Sequence, residues 1–124
     1  NYVSIADATY YDTPVTITFT PKFASSKLVI FAQCQTRSNG GYGFSGYLKR
    51  DGSYVNPSQQ RNSLDFYYKG ETLNHHNEIR IFTSVSANNT TATTFTLGIT
   101  PYGGTGEFNY GWGSNYIQVW EIGA

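Results

Sequence analysis

The chain has 124 residues, no net charge, 13% charged and 17% aromatic side chains, thirteen glycines and a single cysteine. This length fits one domain, and without a positive surplus little counterion release is left to drive nucleic-acid binding. The longest apolar run, Leu28–Ala32, is far shorter than the roughly 20 residues of a membrane-spanning helix, so we expect neither nucleic acid as a partner nor membrane insertion.

Two strands are predicted near the start of the chain. Val15, Ile17 and Phe19 alternate with threonines, and we expect Pro14 to open this strand and Pro21 to close it because proline cannot donate a hydrogen bond to a sheet. The next strand, Lys27–Gln35, places Leu28, Ile30, Ala32 and Cys34 on one face. Its other face is also apolar at first, through Val29 and Phe31, so we expect both faces to be covered.

A hairpin is the clearest local signal in the sequence. Asn39-Gly40-Gly41 breaks the second strand, and Tyr42–Arg50 continues with Phe44 and Leu48 facing inward. Asp51-Gly52 is a type I′ turn signal that returns the chain to Tyr54. The following span, Asn56–Asn77, is polar and irregular, and we expect it to form two long surface loops around one short strand within Leu64–Tyr68.

The second half of the chain alternates again. Glu78–Ser86 places Ile79 and Ile81 on one face with Val85 as a further candidate, and Asn88-Asn89 predicts the turn into Thr93–Thr100. A glycine-rich connection over residues 102–106 leads to a short strand that carries Phe108, Tyr110 and Trp112, and Tyr116–Ile122 is the last strand. No helix is predicted, and the pattern is typical of one all-β domain over residues 1–124, an antiparallel sandwich or barrel.

The last strand contains a bulky side chain out of phase with the core. If Ile117 and Val119 face inward, the other face carries four side chains, Tyr116, Gln118, Trp120 and Ile122. Such a stripe is too apolar to leave in water, so we predict that it forms the interface of a homo-oligomer. The alternative is a β-bulge that turns Trp120 into the core.

Five ordered segments together resemble the C-terminal domain of tailed-phage tail fibres and tail spikes, especially those of marine phages. They are Asp12-Thr13 with Ile17-Thr18-Phe19-Thr20-Pro21, then Ser25-Ser26-Lys27-Leu28-Val29-Ile30, Leu48-Lys49-Arg50-Asp51-Gly52, Thr94-Phe95-Thr96-Leu97, and Tyr116-Ile117-Gln118-Val119-Trp120-Glu121-Ile122. The resemblance implies a homotrimeric jelly-roll-like β-sandwich at the tip of a virion fibre, outside the cell, where it binds the host surface. It assigns no binding residues.

The aromatic residues among the glycines predict a carbohydrate site. Aromatic rings stack on the C–H faces of sugars while polar neighbours bind the hydroxyls. We expect stacking by Trp112, Tyr102 and Tyr110 with Asn109 as a polar contact, although Tyr110 equally fits a core strand. A second candidate group lies in the long loops and comprises Arg61, Asp65, Tyr67 and Tyr68, for which solvated loops are the alternative.

Other chemistry is weakly indicated. Glycoside hydrolysis needs two carboxylates at a defined separation, and Asp65, Glu71, Glu78 and Glu107 are only loose candidates, so we expect no enzyme. His75-His76 fits a surface loop better than a metal site, and the lone Cys34 indicates neither a disulfide nor zinc, so no cofactor or metal is expected. A structural cap that trimerises a fibre without binding the host, a polysaccharide depolymerase and an animal lectin trimer of similar fold remain as alternatives.

Overall fold

The computed structural model describes residues 2–39, 43–55, 66–67, 74–109 and 115–123; for residues 38–39, 66–67 and 74–77 only the backbone is described. In these ranges the protein is all-β, without a helix, and two antiparallel sheets pack against each other as a β-sandwich. The strands are β1 (Tyr2–Ile5), β2 (Tyr11–Phe19), β3 (Lys27–Asn39), β4 (Gly43–Arg50), β5 (Ser53–Tyr54), β6 (Phe66–Tyr67), β7 (Asn74–Ser86), β8 (Thr93–Tyr102), β9 (Thr105–Asn109) and β10 (Tyr116–Ile122). The predicted fold class is therefore confirmed.

We call the two sheets sheet I and sheet II. Sheet I is built on the long strand β3, which pairs with β7 along one edge and with β10 and then β9 along the other, and β1 is added outside β9. Sheet II has the order β2-β8-β4, with β5 and β6 both paired to the far edge of β4. Most of the connections between the longer strands cross from one sheet to the other, as in a jelly roll.

The core lies between the sheets and consists of the side chains that the period of two predicted. Each strand contributes alternate residues because successive side chains point to opposite faces. Fully buried members include Leu28, Ile30, Ala32, Cys34, Phe44, Leu48, Ile79, Ile81, Phe95, Leu97 and Ile99. Val85 is half-buried and packs against this cluster.

The hairpin prediction at Asp51-Gly52 is confirmed. Both residues have positive φ, 50° and 84°, as a type I′ turn requires, and Arg50 pairs with Ser53 across it. The turn at Asn88-Asn89 is confirmed as well, since Asn88 has a φ of 68° and the backbone N–H of Thr91 donates to Asn89 Oδ1.

The start of the chain differs from the prediction. Strand β1 was not expected, and β2 begins at Tyr11, so Pro14 lies inside a strand instead of opening it. The register of β2 against β8 shifts between Asp12 and Thr16, and this irregularity accommodates the proline. Thr13 Oγ1 stabilises it by donating to the Leu97 carbonyl and accepting from the Val15 N–H.

Two loop predictions were too long. Strand β7 starts at Asn74, so the irregular span ends earlier than Asn77, and His75 and His76 lie in a strand instead of a loop. Strands β8 and β9 also extend into the glycine-rich connection, which leaves Gly103 and Gly104 between them; Gly103 supplies the positive φ, 70°, of this tight turn. Long-range pairing to β3 and β4 thus overrides weak local signals.

Candidate functional site

The outer face of sheet I is strongly apolar. Phe82 is 71% exposed, Trp120 61% and Ile122 55%. Ile117, which was predicted to lie on the core-facing side of the last strand, is buried. The pairing of β10 with β3 runs without interruption from Tyr116 to Ile122, so no bulge turns Trp120 inward. The predicted phase of the last strand is therefore confirmed, while the interface role of its outer residues stays a prediction.

The exposed side chains belong to one continuous surface across three strands. Opposite Trp120 lies Val29, and opposite Gln118 lies Phe31, which in turn faces Phe82 on β7. We call this surface the sheet I face and define it as Val29, Phe31, Phe82, Tyr116, Gln118, Trp120 and Ile122. The sequence alone indicated that the outer side of β3 is covered, but it did not single out Phe82.

Aromatic contacts order the centre of the sheet I face. The rings of Phe31 and Tyr116 stack with centroids 5.9 Å apart, and the ring of Phe82 meets Phe31 edge-on at 6.3 Å. Such pairs hold the rings in fixed orientations within the single chain. Phe82, Trp120 and Ile122 together present about 400 Å² of apolar surface if a fully exposed side chain of this size has roughly 200 to 250 Å², which is comparable with the largest patch of a typical monomer.

Two ion pairs lie next to the sheet I face. Arg80 donates to Glu78, and Gln35 Nε2 donates to the same carboxylate at 2.8 Å. Further along β3, Arg37 donates to Glu107 at 2.6 Å and lies 3.7 Å from the ring centre of Tyr2. A partner can cover this part of the surface without breaking these ion pairs, whereas the ammonium of Lys27, exposed beside Ile122, has to stay in water or meet an acceptor on the partner, because burying an unpaired charge is costly.

Only some of the predicted carbohydrate-binding residues are among those that the structure describes. Trp112, Tyr110, Arg61, Asp65 and Tyr68 lie outside the described residues, and of Tyr67 the structure gives the backbone, paired to Gly43. The structure therefore places these residues neither together nor apart.

Tyr102 and Asn109, the two described members, do not lie side by side. Tyr102 is half-buried at the end of β8 in sheet II, with its hydroxyl 2.9 Å from Ser45 Oγ. Asn109 lies in β9 of sheet I and is only 1% exposed. Its role as a polar contact is therefore revised, because its side chain offers almost no surface to a ligand.

Asn115 ties together the two ends of the segment that contains Tyr110 and Trp112. Its side-chain amide donates to the Asn109 carbonyl at 2.9 Å, and its Oδ1 accepts from the backbone N–H of Gln35 at 2.8 Å. Strands β9 and β10 pair with successive parts of β3, so this one side chain links the last residue of β9 to the middle of β3 just before β10 begins. No local sequence pattern indicates this contact, because it depends on tertiary pairing.

The described carboxylates accept hydrogen bonds that hold the fold together. Asp51 accepts from the Thr94 N–H at 2.8 Å and from the Thr93 hydroxyl at 2.7 Å, and these bonds lower its pKa. Glu121 accepts from the Ser26 hydroxyl at 2.6 Å and from the N–H groups of Lys22 and Phe23, which lowers its pKa and fixes the β2–β3 turn. Both carboxylates therefore stabilise turns of the fold.

The remaining reactive groups give no centre within the described ranges. No cluster of three or more metal-ligating side chains occurs there, and no helix long and apolar enough to cross a membrane is found among these residues. Cys34 is fully buried, and this burial raises the pKa of its thiol, which keeps it protonated and unreactive. The expectation that the chain carries no metal site rests on the sequence argument.

No family model matches the chain, and no curated protein matches it significantly. The similarity to tail-fibre domains stays a prediction that rests on sequence motifs, and the functional conclusion has to come from the surfaces described above.

Proposed function

We propose that this chain is a homotrimeric host-recognition module at the tip of a phage tail fibre, exposed on the virion, that binds a cell-surface glycan or glycan-bearing receptor without catalysis. The observation that carries the proposal is the sheet I face. An isolated chain would leave Phe82, Trp120 and Ile122 largely in water, and a closed assembly covers them. The partner is then further copies of the same chain.

One feature supports copies of this chain as the occupant of the sheet I face. The side chains around it carry both signs, with Glu78 bonded to Arg80 within the chain and Lys27 exposed beside Ile122, so a second copy brings hydrogen-bond acceptors as well as donors to the contact. The three-fold stoichiometry comes from the resemblance to fibre tips.

The recognition part of the proposal rests on the aromatic residues between β9 and β10. In the sequence, Trp112 stands between two glycines, and the described residues on either side, Asn109 and Asn115, are hydrogen-bonded to each other. A stretch rich in aromatic and small residues suits a shallow sugar contact. Each contact is weak because little area is buried, and three copies on one fibre then supply avidity.

A glycan array tests the function. The fluorescently labelled assembled domain is applied to an array of printed bacterial polysaccharides, together with Trp112→Ala, Tyr102→Ala and Arg61→Ala at equal thermal stability. We expect binding to a subset of polysaccharides that Trp112→Ala weakens. If only Arg61→Ala loses binding, the site belongs to the loops between β5 and β7. If the wild-type domain binds no polysaccharide, recognition of glycans is refuted and a structural cap of the fibre is the better description.

A further inference from the structure

The outer face of sheet II carries a group of three tyrosines, Tyr10, Tyr47 and Tyr54, which we call the tyrosine cluster. The ring of Tyr47 lies 5.7 Å from that of Tyr10 and 5.4 Å from that of Tyr54, and the Tyr10 and Tyr54 rings are 6.5 Å apart. The interplanar angles of 59° to 73° show that the rings meet edge to face. The cluster is therefore a packed unit and not three independent side chains.

Tyr47 is the buried member of this unit. Only 1% of it is exposed, and its ring lies across Gly98, where a Cβ atom would come within 1.9 Å of Cζ. Its hydroxyl donates to Asp12 Oδ1 at 2.7 Å. Burial, followed by this hydrogen bond, raises the pKa of the hydroxyl, so it remains a donor at neutral pH.

A charged pair borders the cluster. Lys49 Nζ donates to Asp12 Oδ2 at 2.9 Å and lies 5.2 Å from the ring centre of Tyr54. The Asp12 side chain is about half exposed and that of Lys49 about one-fifth. A carboxylate has lone pairs beyond the two used here, and an ammonium has further N–H groups, so both retain capacity to bind a ligand.

Tyr10 is the accessible member of the cluster. It lies just before β2 and is 41% exposed, while its position is set by the packing against Tyr47 and Tyr54. An exposed ring that is already immobilised loses little conformational freedom when a ligand stacks on it.

We propose that Tyr10, Asp12 and Lys49 form a subsite for one neutral pyranose ring of a surface glycan. The C–H face of the sugar stacks on the ring of Tyr10, Asp12 accepts a hydrogen bond from one hydroxyl, and Lys49 donates to the next. The charges of Asp12 and Lys49 cancel, which favours a neutral sugar over an acidic one. The ligand class rests on the proposed glycan-binding function, whereas the location is independent of the loop residues named above.

The subsite is compatible with the proposed assembly. Asp12 and Lys49 lie on the outer face of sheet II, and the sheet I face lies on the opposite side of the sandwich. Burying the sheet I face between copies therefore leaves one subsite per chain on the outside. Three weak sites on one particle add by avidity.

Saturation-transfer NMR on the assembled wild-type domain tests the subsite. The probes are the methyl pyranosides of glucose, galactose, mannose and N-acetylglucosamine at millimolar concentration. We expect transfer to the ring protons of at least one probe, an affinity at least about tenfold weaker in Tyr10→Ala, and retention in Tyr10→Phe, which keeps the ring. Phe23→Ala, which removes an exposed ring in the β2–β3 turn, is the matched control and leaves the signal unchanged.

Two results overturn the proposal. One is the absence of transfer to all four pyranosides, and the other is a Tyr10→Ala variant that binds as the wild type does. On the polysaccharide array, Tyr10→Ala binding at the wild-type level refutes this subsite while glycan recognition stands. A wild-type domain that binds no polysaccharide refutes the proposed function, and the pyranoside titration then reports on the subsite by itself.

Discussion

Replacing Trp120 with aspartate is the sharpest test of the sheet I face. Trp120 exposes 61% of its surface, about 150 Å² when a free tryptophan exposes about 250 Å². Covering that area at about 25 cal/mol per Å² is worth about 4 kcal/mol per chain, or roughly 11 kcal/mol for three symmetry-related copies. At about 1.4 kcal/mol per factor of ten, about eight orders of magnitude is the upper limit for the loss in the trimer association constant from the lost contact area, because incomplete burial and the costs of association reduce the affinity that an area yields.

Light scattering coupled to size exclusion at micromolar concentration measures this effect. We expect the wild type near three times the 13.8 kDa of the chain and Trp120→Asp at the monomer mass. Thr16→Asp places the same charge on an exposed position of sheet II and keeps the trimer mass. Phe82→Ser gives a milder disruption that does not depend on the folding of the aspartate variant. A monomeric wild type, or a Trp120→Asp variant that stays trimeric, refutes the argument.

Three further predictions follow from single contacts. Gly98→Ala places a Cβ atom inside the Tyr47 ring, and we expect it to lower the free energy of unfolding by about 2 to 4 kcal/mol. In a Tyr47→Ala background the same substitution costs less than about 0.5 kcal/mol. Urea unfolding at fixed chain concentration measures both costs, and equal costs in the two backgrounds contradict the clash. The folded-state pKa values of Glu121 and Asp51 are lowered, so these carboxylates stabilise the fold fully above the ordinary carboxyl pKa of about 4, and this stabilisation is lost as the pH falls through the lowered values. We therefore expect the urea midpoint to drop less between pH 7 and pH 3 in Glu121→Gln than in the wild type. An equal drop in both proteins contradicts this role of Glu121. We expect no reducing ends to be released when the domain is incubated with bacterial polysaccharide, because Glu107 forms an ion pair with Arg37. A release of reducing ends that disappears in Glu107→Gln or Asp65→Asn shows the chain to be an enzyme.

The parts of the fold that were predictable are those in which burial leaves a period of two. Phe95, Leu97 and Ile99 alternate with polar residues, and all three are fully buried in the structure. Local turn chemistry was equally informative at Asp51-Gly52, because a type I′ turn requires positive φ at both residues. Such signals are contained in a few adjacent residues, so a single sequence is enough to interpret them.

The parts that were not predictable depend on distant partners. Strand β1 has four residues and exists through its pairing with β9, about a hundred positions away, and the irregularity that admits Pro14 depends on Thr13 and the Leu97 carbonyl. The tyrosine cluster combines residues from the position just before β2, from β4 and from β5. No sequence spacing indicates that Tyr10 and Tyr47 meet, since their contact follows from the register of β2, β8 and β4.

The two outer faces of the sandwich differ in a way that folding does not require. On sheet II the outward positions of β2 and β8 hold threonines, and Thr18 and Thr94 lie within hydrogen-bond distance of each other at 2.9 Å. On sheet I the equivalent positions hold Phe82 and Trp120. Both sheets bury their inner faces in the same core, so the outer aromatics of sheet I add nothing to the core and make the isolated chain prone to associate. Phe82 and Trp120 on sheet I are more exposed than Tyr10, and the aromatic residues on the outer face of sheet II are tyrosines, which carry hydroxyl groups. This contrast is the reason to propose assembly at sheet I and a sugar subsite at sheet II.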